Sequence, residues 1–288
     1  MPDIAVAVGA GDSLGESPVW DPRDGCLYWV DIRRQLVQRW QPASNTYRNW
    51  TLAEDVGSLC LRDSGGLLLA LRSGLAIFDT TDGTSTLVTQ PHAGQPEMRF
   101  NDGRCDRTGA FWAGSMNDRT HAPVGRLYRF GPQRRLEEKL TGIRVPNSLC
   151  WSPDGGTMYF SDSPGRVIWA FAADGSGDIG ARRVFTAIEA PGVPDGATVD
   201  CEGFVWCALY GGWSVARFAP DGRTDLIVHL PVQQPTSCAF GGANLDTLFV
   251  TTATQHLEPD ALQRQPLAGS VLCFDPGVRG CVEPRFAG

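Results

Sequence analysis

Glu16, Asn101, Asn147 and Asp195 are the side chains of this sequence whose types and spacing could carry chemistry together. Each stands eight residues before the first turn glycine of a short stretch of similar sequence, nine for Glu16; the same count gives Gly57 and, aligned through its strand, Thr236. Asp195 is the most telling member. An Asp-Gly pair usually marks the tip of a hairpin, yet Asp195-Gly196 leads into a strand-like run and the tip comes later, at Cys201-Glu202-Gly203. If the six positions meet, two carboxylates share a confined place with two amides, which is costly unless a cation neutralises them. None of the donors is His or Cys, so the set suits one hard divalent ion, Ca²⁺ first, then Mg²⁺ or Mn²⁺, with Zn²⁺ or Fe²⁺ able to occupy an oxygen site by availability. Such an ion polarises a carbonyl and makes water a better nucleophile.

Only a repeating fold can bring these positions together, and the sequence repeats. Six units pair one short strand with another across a turn: Glu16–Trp20 with Leu27–Asp31, Gly57–Leu61 with Leu67–Ala70, Asn101–Cys105 with Phe111–Gly114, Asn147–Trp151 with Met158–Asp162, Asp195–Val199 with Phe204–Ala208, and Thr236–Phe240 with Leu248–Thr252. Each continues into a third strand, such as Leu36–Trp40 or Val167–Phe171, and several into a weaker fourth, such as Thr46–Trp50. Four strands in each repeat of this length is the period of a β-propeller blade. The reading is therefore an all-β, six-bladed β-propeller with four-stranded blades around a central channel, one domain over residues 1–288. The free strand Ile4–Val8 is expected to pair into the last blade and close the ring. In a propeller the first strand of each blade lines the channel, which sets the six positions around one mouth.

In that register the sequence resembles the gluconolactonase and regucalcin (senescence marker protein) family along essentially its whole length. The likeness rests on Leu14-Gly15-Glu16-Ser17-Pro18-Val19-Trp20, Arg99-Phe100-Asn101-Asp102-Gly103, Ala113-Gly114-Ser115-Met116, Pro146-Asn147-Ser148, Pro194-Asp195-Gly196 and Leu209-Tyr210-Gly211-Gly212. The resemblance implies a propeller that hydrolyses a sugar lactone with one divalent ion, with Glu16, Asn147 and Asp195 as its ligands and Arg99 and Asn101 in contact with the substrate. Where some relatives carry an acid after the Gly-Ser/Thr-Met segment, this chain reads Asn117-Asp118-Arg119, and Asp118 is the candidate stand-in on a rim loop running through His121-Ala122-Pro123. Hydrolysis of an ester by such a site needs a base for the attacking water, and Asp195 is the candidate both to hold the ion and to take that proton. Tyr210 and Trp213 are candidate aromatics for a sugar face.

Other classes are disfavoured. A formal charge of −7 without basic runs argues against nucleic acid or anionic membrane as partners. Four histidines and no Gly-x-Ser-x-Gly elbow argue against a serine hydrolase. The nine cysteines lack CxxC spacing and mostly sit in apolar runs, as reduced core thiols of a cytoplasmic protein would. No signal peptide or membrane-spanning run is read. The expected reaction is hydrolysis of an aldono-1,4- or 1,5-lactone; the alternatives are a non-catalytic calcium-binding or interaction propeller and a metal-dependent phosphotriester or ester hydrolase.

Overall fold

The computed structural model describes residues 2–288 and is a six-bladed β-propeller of four-stranded sheets. The innermost strands of blades 1 to 6 are Gly15–Asp21, Val56–Leu61, Met98–Cys105, Pro146–Trp151, Val193–Val199 and Pro235–Gly241. Within each of the first five blades the strands lie in chain order from the channel outward, every pair antiparallel. The sixth is completed by Ala5–Val8, which pairs with Val271–Phe274 as its outermost strand and so joins the two ends of the chain in one sheet. Regular helix is confined to one short segment, Pro259–Arg264, and among the described residues no helix is long and apolar enough to cross a membrane.

Neighbouring sheets bury their faces against each other in a ring of apolar clusters, which is how strands that are individually too short become stable. In the three most deeply buried tryptophans, Trp29, Trp112 and Trp206, an aspartate satisfies the indole N–H. Trp112 Nε1 donates to Asp106 (2.8 Å) and Trp206 Nε1 to Asp200 (2.9 Å), in each case an acid that also caps the intervening turn. Trp29 finds the equivalent partner in Asp12 (2.9 Å).

The two mouths of the channel differ. At the ends of the innermost strands, residues 279–287 cross from blades 5 and 6 to blades 2 and 3: Gly280 N donates to Leu245 O (2.8 Å), Cys201 N to Arg279 O (2.8 Å), Phe286 N to Leu61 O (2.8 Å) and Ala287 N to Gly109 O (3.0 Å). Glu283 of this crossing pairs with the buried Arg104 at 2.7 Å, and the fully buried Phe286 stacks on Phe130. The other mouth, where the innermost strands begin, holds the cavity described next.

Candidate active site

Each innermost strand slips register with its neighbour once: between Glu16 and Val19, Val56 and Ser58, Phe100 and Gly103, Asn147 and Cys150, Pro194 and Ala197, and Pro235 and Ser237. Such a bulge re-aims the side chains at which it occurs. Ser17 and Ser148, the residues after Glu16 and Asn147, take left-handed backbone at φ 53° and 57°. The misplaced Asp-Gly of the sequence is thus a bulge signature. Gly196 is required for closeness as well, since a Cβ there would overlap Ser237 of the next blade.

Glu16, Asn101, Asn147 and Asp195 line one cavity of about 320 Å³ together with Arg99. The other two equivalent positions do not join them. Gly57 has no side chain, and Thr236 turns its hydroxyl to Gly15 O and to Thr251 Oγ1 (2.9 Å), so the expectation that all six meet on the axis holds for four.

A chain of hydrogen bonds fixes the amides. Ser163 Oγ gives its one proton to Pro194 O (2.7 Å) and therefore accepts from Asn147 Nδ2 (2.8 Å). Asn147 Oδ1 faces the other way and accepts from Asn101 Nδ2 (3.0 Å), while Asn101 Oδ1 accepts from Arg99 Nη1 (2.6 Å). The orientation of both amides follows from partners with only one possible role. Arg99 donates its remaining Nη1 hydrogen to Phe100 O (2.9 Å) and its Nε hydrogen to Asp118 (2.7 Å); among the described residues its Nη2 hydrogens have no partner.

The two carboxylates have no such company. Burial, then the nearby charge of Asp102, pushes Glu16 up to about 8. Burial, then the charges of Glu16 and Asp102, holds Asp195 well above the usual carboxylate range. The positive charge of Arg99 offsets this least among the causes. Among the described residues no three His, Cys, Asp or Glu side chains gather; the amides of Asn101 and Asn147 are other oxygen-bearing side chains placed with the two carboxylates. Two under-neutralised carboxylates beside the oriented Oδ1 of Asn147 form an oxygen set that suits a hard divalent ion.

At the rim, Asp118 lines the cavity but its carboxylate is taken. It accepts from Arg33 (2.9 and 3.0 Å), Arg72 (2.8 Å) and Arg99 (2.7 Å), from blades 1, 2 and 3. Burial opposes its ionisation, yet these guanidiniums hold it well below the usual carboxylate range. Tyr210 and His121 also line the cavity, whereas Trp213 does not. Residues that the sequence did not single out are Ser163, Arg33, Arg119, Gln255 and His256. All lie in loops or strand ends without periodic pattern, and only Ser163, directly after the second strand of blade 4, stood where a register count would reach.

The sequence pattern of the SMP-30/Gluconolactonase/LRE-like region matches residues 14–254. A 6-deoxy-6-sulfogluconolactonase from Pseudomonas putida is 36% identical over 96% of this chain and 95% of its own. An L-arabinolactonase from Azospirillum brasilense is 36% identical over 96% and 93%. Among solved structures, a calcium-binding protein, regucalcin, from Agrobacterium tumefaciens superposes with a TM-score of 0.93 at 30% identity, over 98% of this chain and 97% of that one. The chain is a member of the SMP-30/gluconolactonase/LRE-like family.

Proposed function

We propose that this protein hydrolyses the lactone of a sugar acid to the free acid, using one divalent ion held by Glu16, Asn147 and Asp195. The observation that carries the reading is the pair of buried, under-neutralised carboxylates in one cavity with Asn147, whose amide is locked by Ser163 at its nitrogen and Asn101 at its oxygen. The ion, when bound, supplies Lewis-acid polarisation of the lactone carbonyl. Asp195 accepts the proton of the attacking water. Arg99, held on three sides, presents its Nη2 hydrogens to substrate oxygens without having to be ordered first. Asn101 ties Arg99 to Asn147, and Asp118 fixes Arg33 and Arg99 at the rim, so it serves the substrate by holding the arginines. The relatives that act on a sulfonated gluconolactone and on an arabinolactone support the substrate class. The same reading takes residues 1–288 as one domain and the cytoplasm, where nine unpaired thiols persist, as its place of work.

The test is acid release from five- and six-carbon aldonolactones, the 6-sulfonated gluconolactone among them, before and after chelation and with metal added back. Turnover of at least one is expected, lost with the ion and restored by it. Turnover untouched by complete chelation would overturn the metal assignment, and no turnover of any would overturn the lactonase.

Ser163 gives a second expectation. Ser163→Ala leaves Asn147 Nδ2 and Pro194 O without their shared partner and frees the amide to turn. Loss of an outer hydrogen bond of this kind typically weakens ion binding by about 10–100-fold. Titration calorimetry with Ca²⁺ or Mn²⁺ reads this directly, and an unchanged affinity would mean that Asn147 needs no such support.

A further inference from the structure

Opening a lactone requires two proton transfers, and the residues above account for one. The ring oxygen leaves as the conjugate base of an aliphatic alcohol, a poor leaving group unless it is protonated as it departs. Asp195 gains a hydrogen only by taking it from the attacking water, and Glu16 carries none while it holds an ion.

We propose that Tyr210 is the acid that protonates the departing ring oxygen, with His256 positioned behind it to return the proton. The inference rests on the lactonase reading. Tyr210 ends the second strand of blade 5, where it pairs with Val193 two residues before Asp195, and its side chain lines the same cavity as Asp195, Asn147 and Arg99. Its hydroxyl meets His256 Nδ1 at 3.2 Å and Gln255 Nε2 at 3.5 Å. Burial comes first in pushing the phenol up to about 12, opposed by the Gln255 hydrogen bond and reinforced by the charges of Asp195 and Glu16. Burial thus favours the protonated hydroxyl. His256 is exposed, so the pair spans from the cavity to bulk water.

His256 sits at φ 62° in the left-handed region. It is held there by a tight loop in which Gln255 N donates to Ser13 O (2.9 Å) and Leu257 N to Thr254 O (3.2 Å).

In the step, water oxygen bonds to the carbonyl carbon while its proton passes to Asp195. The bond from that carbon to the ring oxygen breaks with its electron pair going to the oxygen, which takes the Tyr210 proton. The phenolate recovers a proton from His256 Nδ1, and the imidazole recovers one from solvent. One water is consumed, one hydroxy acid leaves, and Asp195 releases its proton to solvent.

The experiment compares two lactones with different leaving groups. D-Glucono-1,5-lactone expels an alkoxide; 3,4-dihydrocoumarin expels a phenolate that needs little protonation. Tyr210→Phe is expected to lower kcat for the sugar lactone by about 100-fold with little change in KM, and for dihydrocoumarin by less than about threefold. His256→Ala is expected to show the same selectivity more weakly and to regain sugar-lactone turnover when imidazole is added. Equal losses on both substrates, or full sugar-lactone turnover by Tyr210→Phe, would overturn the assignment. If dihydrocoumarin is not turned over by the parent protein, the imidazole rescue decides alone, and its failure overturns the relay. A parent protein that opens neither lactone nor any aldonolactone refutes the lactonase reading itself, which separates that failure from this one.

Discussion

Asp195→Asn is expected to lower turnover of the sugar lactone by about 10³-fold or more, because it removes a general base and an ion ligand in one change. The fold should survive. The bonds that tie this position into the structure run to the backbone, with Ser148 Oγ donating to Asp195 O at 2.7 Å, while the carboxylate itself faces the cavity. The substitution should also stabilise the chelated protein at alkaline pH. Asp195 holds its proton more tightly folded than unfolded, so between its ordinary pKa and its raised folded one the native state binds more protons, and stability falls as pH rises. Asparagine has no charge to bury and escapes that loss, although Glu16, pushed up to about 8, still contributes its own. Thermal midpoints in chelator should therefore be higher for Asp195→Asn at pH 8, with the advantage shrinking as pH falls toward the usual carboxylate range. A variant that melts well below the parent at pH 8 would show that the carboxylate supports structure. Loss of stability only with the ion present would instead be the signature of a missing ligand.

What the sequence made legible was whatever repeats. The turn glycines fixed a register, the register placed Glu16, Asn101, Asn147 and Asp195 at one end of the channel, and the cavity contains all four. The alternation of apolar residues likewise gave the third strands, because each is half-covered by the next blade. What stayed hidden depends on contacts without period. Asp118 was legible as an acid near the rim, but its engagement by Arg33, Arg72 and Arg99 needs three blades to be placed side by side. Tyr210 was legible as a cavity candidate on motif grounds, whereas His256 belongs to a loop that only the closed ring brings beside it. Trp213, directly after the same glycine pair, turns outward at 39% exposure, which no local rule decided. The bulges occupy an intermediate place. Asp195-Gly196 in front of a strand was a visible anomaly, and the register slip between Pro194 and Ala197 is its physical cause. Thr236 shows the limit of counting, since its hydroxyl bonds to the backbone of blade 1 instead of facing the cavity.

Phe286→Ala is expected to destabilise the protein by about 3–5 kcal/mol, the usual range for emptying a buried aromatic site. For a chain of this size that corresponds to a fall in Tm of roughly 10 °C. Residues 279–287 form no strand; their strength lies in what they connect. Phe286 is wholly buried between blades 2 and 3, stacked on Phe130 at 5.4 Å, while Arg279 and Gly280 bond to blades 5 and 6. The segment is thus a second tie across the ring, acting at the mouth opposite the cavity, in addition to the pairing of Ala5–Val8 with Val271–Phe274. Between its anchors, Glu283 meets Arg104 at 2.7 Å on the channel axis. Breaking that pair on one side leaves an uncompensated buried charge, so Glu283→Ala should be as damaging as Phe286→Ala, whereas replacing both partners with leucine should recover much of the loss. Because the tie lies at the far ends of the innermost strands, kcat at 25 °C should change little in whatever fraction remains folded. Thermal melts and activity per folded molecule check both halves. A Phe286→Ala protein with the parent Tm would remove the segment from the closure of the ring, and one with the parent Tm but lost activity would place it in communication with the site.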